Sequence, residues 1–369
     1  MPASRQGIAS TPYKSKERAP NMVGGSPRIL IIRLSAIGDV VRVLPALQIL
    51  RDALPDAHID WVVEKKAADI CIDHPSLDGT IVFDRPEGAW KAAKAFLALC
   101  NNIRNRRYDI VIDFHGILKS GLIAWTSRAR KRYGFARPRS QELSYLFTNR
   151  RTKLPPRTLN RVEENVILCE AVVPSRAGWP GATIEVPPDV QDSVDEFVDS
   201  TFEAGKRLVA VHAPVDRREK RWPLDYFAEV CDLLIADGRY EVMLTWGPGQ
   251  RHIAQKVFDR CRRSPVIAPE TPDLKHYAWL MNRADLYVGG DTGPMHIAAA
   301  MGTPVVAIFT GTNALQHAPY QSTCEVLTPE RARELAPAEE AAETTLSPIT
   351  PTMVYDACVR ILAPNKKTG

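Results

Sequence analysis

Residues 284–308 read Ala-Asp-Leu-Tyr-Val-Gly-Gly-Asp-Thr-Gly-Pro-Met-His-Ile-Ala-Ala-Ala-Met-Gly-Thr-Pro-Val-Val-Ala-Ile. An apolar run ends in Gly289-Gly290-Asp291, a helix starts at Thr292-Gly293-Pro294, and a second apolar run follows. This predicts a strand, a loop, a helix and another strand, with the chemistry gathered in the loop. Pro294 suits a first helical turn, where its missing N–H costs nothing. Asp291 or Thr292 can cap the helix. Gly289, Gly290 and Gly293 let the backbone approach a ligand closely. Free amides at such a helix start favour anions, phosphate above all. Glycine-rich strand-to-helix turns are common, but turn-making does not need His296 in the first turn. The apolar strands place the loop at the carboxyl edge of a buried parallel sheet, where folds of this kind bind ligands.

At 369 residues the chain predicts two domains of similar size. Strand-like runs alternate with helix-length segments. They fall at Ile29–Leu34, His58–Val63, Gly79–Phe83 and Ile110–Asp113, then at Leu208–His212, Glu241–Thr245, Asp285–Val288 and Val305–Phe309. The fold class is therefore α/β: two doubly wound, Rossmann-like domains with a cleft between them. The boundaries read as a disordered polar tail over 1–26, a first domain over 27–175, a Pro/Gly-rich linker over 176–190, a second domain over 191–346, and a C-terminal helix and tail over 347–369. Residues 330–347, rich in Ala and Glu, read as a mobile connection or a short exposed helix. Met353–Leu362 is amphipathic and is expected to pack back across the linker.

No apolar run approaches the ~20 residues that span a bilayer, and the N-terminal segment has no apolar core for a secretory signal. Seven scattered cysteines without a Cys-x-x-Cys pair predict reduced thiols and no zinc site. Net charge is +5, with Arg and Lys crowded between Arg104 and Arg161. A solvated basic face is the plain reading of that run. Its density also suits an anionic partner: a phosphorylated glycolipid or the membrane holding it, with no nucleic-acid motif to match.

Further loops carry chemistry. Ser35-Ala36-Ile37-Gly38-Asp39 joins the first strand to a helix near Val40. Lys220-Arg221-Trp222-Pro223 closes the loop after the strand ending at His212. Thr245-Trp246-Gly247-Pro248-Gly249-Gln250 follows the next strand. Asp113-Phe114-His115-Gly116-Ile117-Leu118-Lys119-Ser120 and Arg132-Tyr133-Gly134-Phe135, with Arg137 and Arg139 beyond, lie in the first domain.

Together with residues 284–308, and in their order along the chain, these segments resemble the glycosyltransferase family 9 enzymes, the ADP-heptose:lipopolysaccharide heptosyltransferases, from about Arg28 onward. The resemblance, nearest to heptosyltransferase I, implies a GT-B fold and inverting heptose transfer from ADP-L-glycero-D-manno-heptose to the lipopolysaccharide inner core. It implies Asp39 as general base and Lys220 as the cation on the leaving diphosphate. Gly38, Gln250, Asp291, Thr292, Gly293 and His296 would hold the donor, with a cationic His296 helping to neutralise the leaving group. Lys119, Arg132, Arg137 and Arg139 would hold the phosphates or acidic sugars of a lipid-linked acceptor. No metal and no cofactor is expected. The place of work would be cytoplasmic, peripheral on the inner membrane.

Two departures stand out. Gln250 replaces the family's usual Glu, and Pro214-Val215-Asp216 replaces small hydroxyl residues, with Asp216 repelling a diphosphate unless it turns away. The alternatives are a same-fold transferase for another sugar or acceptor, a sugar-nucleotide 2-epimerase, and a catalytically dead binding protein. At Asp39, burial would raise the pKa and the helix dipole would lower it; the sequence leaves both open, along with a role in orienting the acceptor.

Overall fold

The computed structural model describes residues 26–173, 181, 183–320, 322–335 and 347–363. Nearly all of the expected N-terminal tail, part of the linker, most of the 330–347 segment and the extreme C-terminus lie outside the described residues.

Two six-stranded parallel sheets form the framework. The first holds β1 (Arg28–Ile32), β2 (His58–Glu64), β3 (Gly79–Phe83), β4 (Ile110–Asp113), β5 (Lys131–Phe135) and β6 (Arg150–Thr152), ordered β3-β2-β1-β4-β5-β6. The second holds β7 (Arg207–His212), β8 (Tyr240–Leu244), β9 (Val266–Ile267), β10 (Leu286–Gly290), β11 (Val305–Ile308) and β12 (Cys324–Leu327), ordered β12-β11-β10-β7-β8-β9. In each sheet the order reverses once, between β1 and β4 and between β7 and β10. Crevices at such reversals, outside the carboxyl ends of the strands, are where these folds bind ligands.

The apolar strands are buried on both faces, as parallel sheets require. Ile29 and Ile31 face one core while Leu30 and Ile32 face another, following the two-residue period of a strand. Leu208 and Ala210 belong to the same continuous core as Ile29 and Ile31, so one apolar mass joins both domains. Val209 and Val211 face a separate core on the far side of the second sheet. Lys275, from the second domain, donates across the junction to the Ile72 carbonyl at 2.9 Å. The C-terminal helix Pro351–Leu362, expected to pack back across the linker, lies against the second domain. Its Val354, Ala357, Cys358 and Leu362 fill the core of the second domain beside Trp222, Phe227 and Cys231. Among the described residues, no helix is long and apolar enough to cross a membrane.

Candidate active site

Both order reversals open onto one cleft, and helix starts approach each other across it. The short helix Ile37–Val41 packs against the helix Gly293–Ala300. Two glycines make this possible. A Cβ on Gly38 would stand 2.6 Å from His296 Cδ2, and one on Gly293 would stand 3.1 Å from Ile37 Cβ. Thr292 occupies the N-cap position without a side-chain cap bond, and Pro294 lies in the first turn, as the sequence predicts.

Asp39 lies in the first turn of its helix, a third exposed, between two arginines. Arg33, just beyond β1, forms an ion pair with it, and Arg42, one helical turn on, donates from Nη1 at 2.8 Å. Burial works to raise the Asp39 pKa. The two guanidiniums outweigh it and hold the carboxyl well below its usual range. The question left open by the sequence is therefore decided by Arg33 and Arg42.

Arg42 also reaches across the cleft. Its Nη2 lies 2.5 Å from His296 Nε2 and 3.9 Å from Asp291 Oδ1. An always-protonated guanidinium can only donate, so His296 accepts at Nε2. Burial and the Arg42 charge push the His296 pKa down to about 4. The expected cationic His296 is thus corrected: near neutral pH the ring is neutral and its lone pair orients Arg42. Asp291 is buried, with Lys220 Nζ at 2.7 Å and Thr312 Oγ1 donating at 2.9 Å to the same carboxylate oxygen. Burial works to raise Asp291, and the Lys220 ammonium beside it holds it below the usual range. His317 stands in the electrostatic reach of Arg42, Asp291 and Lys220, with its pKa lowered to about 4, chiefly by burial.

On the nucleoside side, Gln250 Nε2 donates to Asp216 Oδ1 at 2.9 Å. The two departures from the family pattern therefore meet each other, and the Asp216 carboxylate turns toward the amide. On the acceptor side, Lys119 pairs with Glu64 at 2.6 Å and lies 5.0 Å over the Phe83 ring. Arg139 pairs with Glu164 at 2.7 Å and stacks over Phe135. Both carboxylate oxygens of Glu164 also accept from Arg161 Nη1, at 2.8 and 2.6 Å. Arg137 is exposed and stacks over Tyr145 at 5.2 Å. His115 is kept neutral, with its pKa lowered to about 3 by burial and Arg33.

Arg132 is not part of this group. It sits at the amino end of β5, paired in register with Val111 near the start of β4, at the sheet edge opposite the cleft. Its guanidinium bonds the carbonyls of Phe147 and Ala129 at 2.9 and 2.7 Å. A strand-internal Arg at the wrong end of a parallel strand cannot reach the carboxyl edge. Sequence reading missed Arg33, Arg42, Thr312 and His317. Arg42 carried a signal, the three-residue spacing from Asp39 on one helix face. Among the described residues no three His, Cys, Asp or Glu side chains gather to hold a metal ion.

Two doubly wound domains meeting at a cleft, with loops at both reversals converging on it, define the GT-B class of glycosyltransferase. A family model for glycosyltransferase family 9 (heptosyltransferase) matches residues 96–343, and the chain belongs to this family. It is a glycosyltransferase, and the epimerase alternative falls with that. The lipopolysaccharide core heptosyltransferase OpsX of Haemophilus influenzae is 26% identical over 81% of this chain and 83% of its own length. The crystal structure of a family 9 glycosyltransferase from Veillonella parvula superposes with a TM-score of 0.81 at 26% identity, covering 91% of this chain and 97% of that one. The Escherichia coli heptosyltransferase WaaC with ADP shares the fold at a TM-score of 0.70 and 23% identity, covering 90% and 99%.

Proposed function

We propose that the chain transfers heptose from ADP-L-glycero-D-manno-heptose to the inner core of lipopolysaccharide, with inversion and without a resident metal. Relatives carry lipopolysaccharide heptosyltransferase names, and one solved neighbour holds ADP. The observation that carries the reading is the pairing of Asp39 on one wall with Lys220 and Asp291 on the other, bridged by Arg42. The first domain takes the acceptor and the second takes the nucleotide sugar.

The acceptor hydroxyl attacks the anomeric carbon from the face opposite the diphosphate. As that C–O bond forms, the bond to the β-phosphate oxygen breaks and ADP departs. The hydroxyl proton passes to Asp39. A carboxylate of low basicity accepts it late, once the attacking oxygen has become acidic. Lys220, the Thr292–Gly293 amides and Arg42 stabilise charge on the leaving diphosphate. A diphosphate lodged there shares Arg42 and loosens its hold on Asp39. Lys119, Arg137 and Arg139 meet the acidic, lipid-linked acceptor at the cytoplasmic face of the inner membrane.

A second reading, the same chemistry with a different nucleotide sugar, is favoured by the Gln250–Asp216 pair, which changes the nucleoside side of the site. Incubation of the purified chain with heptose-deficient lipopolysaccharide and ADP-heptose, or UDP- and GDP-sugars, is read by mass spectrometry. Product from ADP-heptose alone is expected. Turnover only with another nucleotide moves the assignment to the second reading, and no transfer from any sugar overturns both.

A further inference from the structure

We infer that the outer flank of the first domain, built from the helices Ala89–Asn105 and Leu118–Thr126, is a docking face for an anionic phospholipid bilayer. This rests on the proposed function and deepens it, since a lipid-linked acceptor is presented at a bilayer. The two helices cover the sheet face of Leu30 and Ile32, away from the core shared with the second domain. Their outer side is left to solvent.

That outer side is unusually apolar. Trp90 is 82% exposed, Leu97 68% and Trp125 58%. Among the described residues, eight large apolar side chains are exposed, and all but Leu315 belong to the first domain. The distribution is therefore local to one domain and not a general property of the surface. Trp90 and Leu97 are seven residues apart, two helical turns, and so project along one line. Leu97 and Trp125 share the rim of a groove of about 500 Å³ that Arg104, Arg128 and Arg132 also line. Folding gains nothing from leaving such side chains in water, since burying each is worth roughly 1.5–3 kcal/mol.

Charge selects the occupant. No acidic residue occurs between Ala89 and Tyr108, or between Phe114 and Gln141, while those stretches expose Lys91, Lys94, Arg104, Arg107, Arg128 and Arg130. Separately projecting Trp and Leu side chains among cations suit the headgroup boundary, where indole rings settle and each Lys or Arg adds about 1 kcal/mol on an anionic leaflet. Protein partners more often meet a contiguous apolar centre inside a polar rim, whereas Trp90, the most exposed of these side chains, stands outside the groove that Leu97 and Trp125 share. Both helices start at the carboxyl edge of the sheet, with Leu118 and Lys119 beside the cleft. The flank thus runs from the helix starts beside the cleft to the groove of Arg104, Arg128 and Arg132 at the opposite edge, and a bilayer lying along its whole length extends to the side of the cleft assigned to the acceptor.

The test is co-flotation of the purified full chain with vesicles of phosphatidylglycerol and phosphatidylcholine, against phosphatidylcholine alone. Binding to the anionic vesicles only is expected, falling steeply with salt, with blue-shifted tryptophan emission. The Trp90→Ala/Leu97→Ala/Trp125→Ala variant is expected to bind about tenfold or more weakly, with ADP binding and circular dichroism unchanged. A Lys91→Glu/Lys94→Glu/Arg104→Glu variant checks the charge arm without touching the apolar anchors and is expected to weaken binding likewise. Equal binding to neutral vesicles, undiminished binding by both variants, or no vesicle binding with capture of an acidic protein through this flank would overturn the docking face. Turnover of ADP-heptose with detergent-solubilised acceptor distinguishes the two levels: transfer without vesicle binding removes the docking face alone, and vesicle binding without transfer removes the proposed reaction alone.

Discussion

The two walls of the cleft use the same parts to different effect. Each places an aspartate beside the start of a helix at a point where strand order reverses, and each holds that aspartate with cations. On the first wall Asp39 lies between Arg33 and Arg42 and keeps a third of its side chain exposed. On the second, Asp291 is 4% exposed, with Lys220 and Thr312 sharing one of its oxygens. Burial separates their jobs. An accessible carboxylate can meet a substrate hydroxyl. A sealed one can only aim the cation that touches it. Arg42 ties the walls together by touching both aspartates.

The comparison breaks most visibly at Asp39. Asp39→Asn keeps shape and removes the proton acceptor, so kcat is expected to fall by about 10³ or more while ADP affinity changes little. Steady-state kinetics beside calorimetric ADP binding checks this, and near-normal turnover would remove Asp39 from proton transfer. Lys220→Met tests the other wall. Loss of charge on the leaving group is expected to lower kcat/KM by roughly 10². Asp291 would also remain buried without its cation, so the melting temperature is expected to drop as well. Asp291→Asn in the Lys220→Met background should recover part of the melting temperature and none of the activity. Recovery of activity would show that Lys220 serves the fold alone.

A third outcome concerns pH. The native pKa of His296, about 4, lies below its ordinary value of 6.5. Between these values the unfolded chain binds the proton that the native one refuses. Stability from this group is therefore complete above about pH 6.5 and is lost as pH falls toward 4. At pH 5 the loss is about 2 kcal/mol. His74 and His212, lowered to about 4 and 3, act in the same direction, while Asp113, raised to about 6, opposes them below pH 6. Denaturant melts at pH 7.5 and 5 should show His296→Gln losing about 2 kcal/mol less than the unsubstituted chain over that interval. An identical loss in both would show that the ring is already charged in the native state.

The framework was legible where the physics was local. Strands such as β1 and β11 declare themselves through the continuous apolar runs Ile29–Ile32 and Val305–Phe309, and Gly289–Pro294 declares a strand-to-helix turn. The strands Lys131–Phe135, Arg150–Thr152, Val266–Ile267 and Cys324–Leu327 escaped notice. The first two are rich in Arg and Lys, and β6, β9 and β12 are sheet edges, where one side needs no partner strand. The site was legible as a set of loops, but its charge state was not. Whether Asp39 rises or falls depends on Arg33, which lies just beyond a strand, and on Arg42, whose second contact lies 254 residues away in sequence. Arg132 failed for a simpler reason. A basic residue's position along its strand decides which edge of the sheet it reaches, and that follows only from the register with β4.

The smallest expected effect tests whether the nucleoside side of the second wall follows the same rule of cation and carboxylate. There the Asp216 carboxylate is held by the neutral amide of Gln250, in an exposed position. Gln250→Glu would set two carboxylates against each other, and surface charges of this kind interact by about 1 kcal/mol or less. The Gln250→Glu change should therefore leave kcat unaltered and raise KM for the nucleotide sugar by a factor of about 2–5. Asp216→Ser in the same background removes the repulsion and should return KM to its starting value. If Gln250→Glu instead lowers KM, the new carboxylate is gaining a substrate hydroxyl, and the native Gln250–Asp216 pair is weakening the grip on the nucleoside.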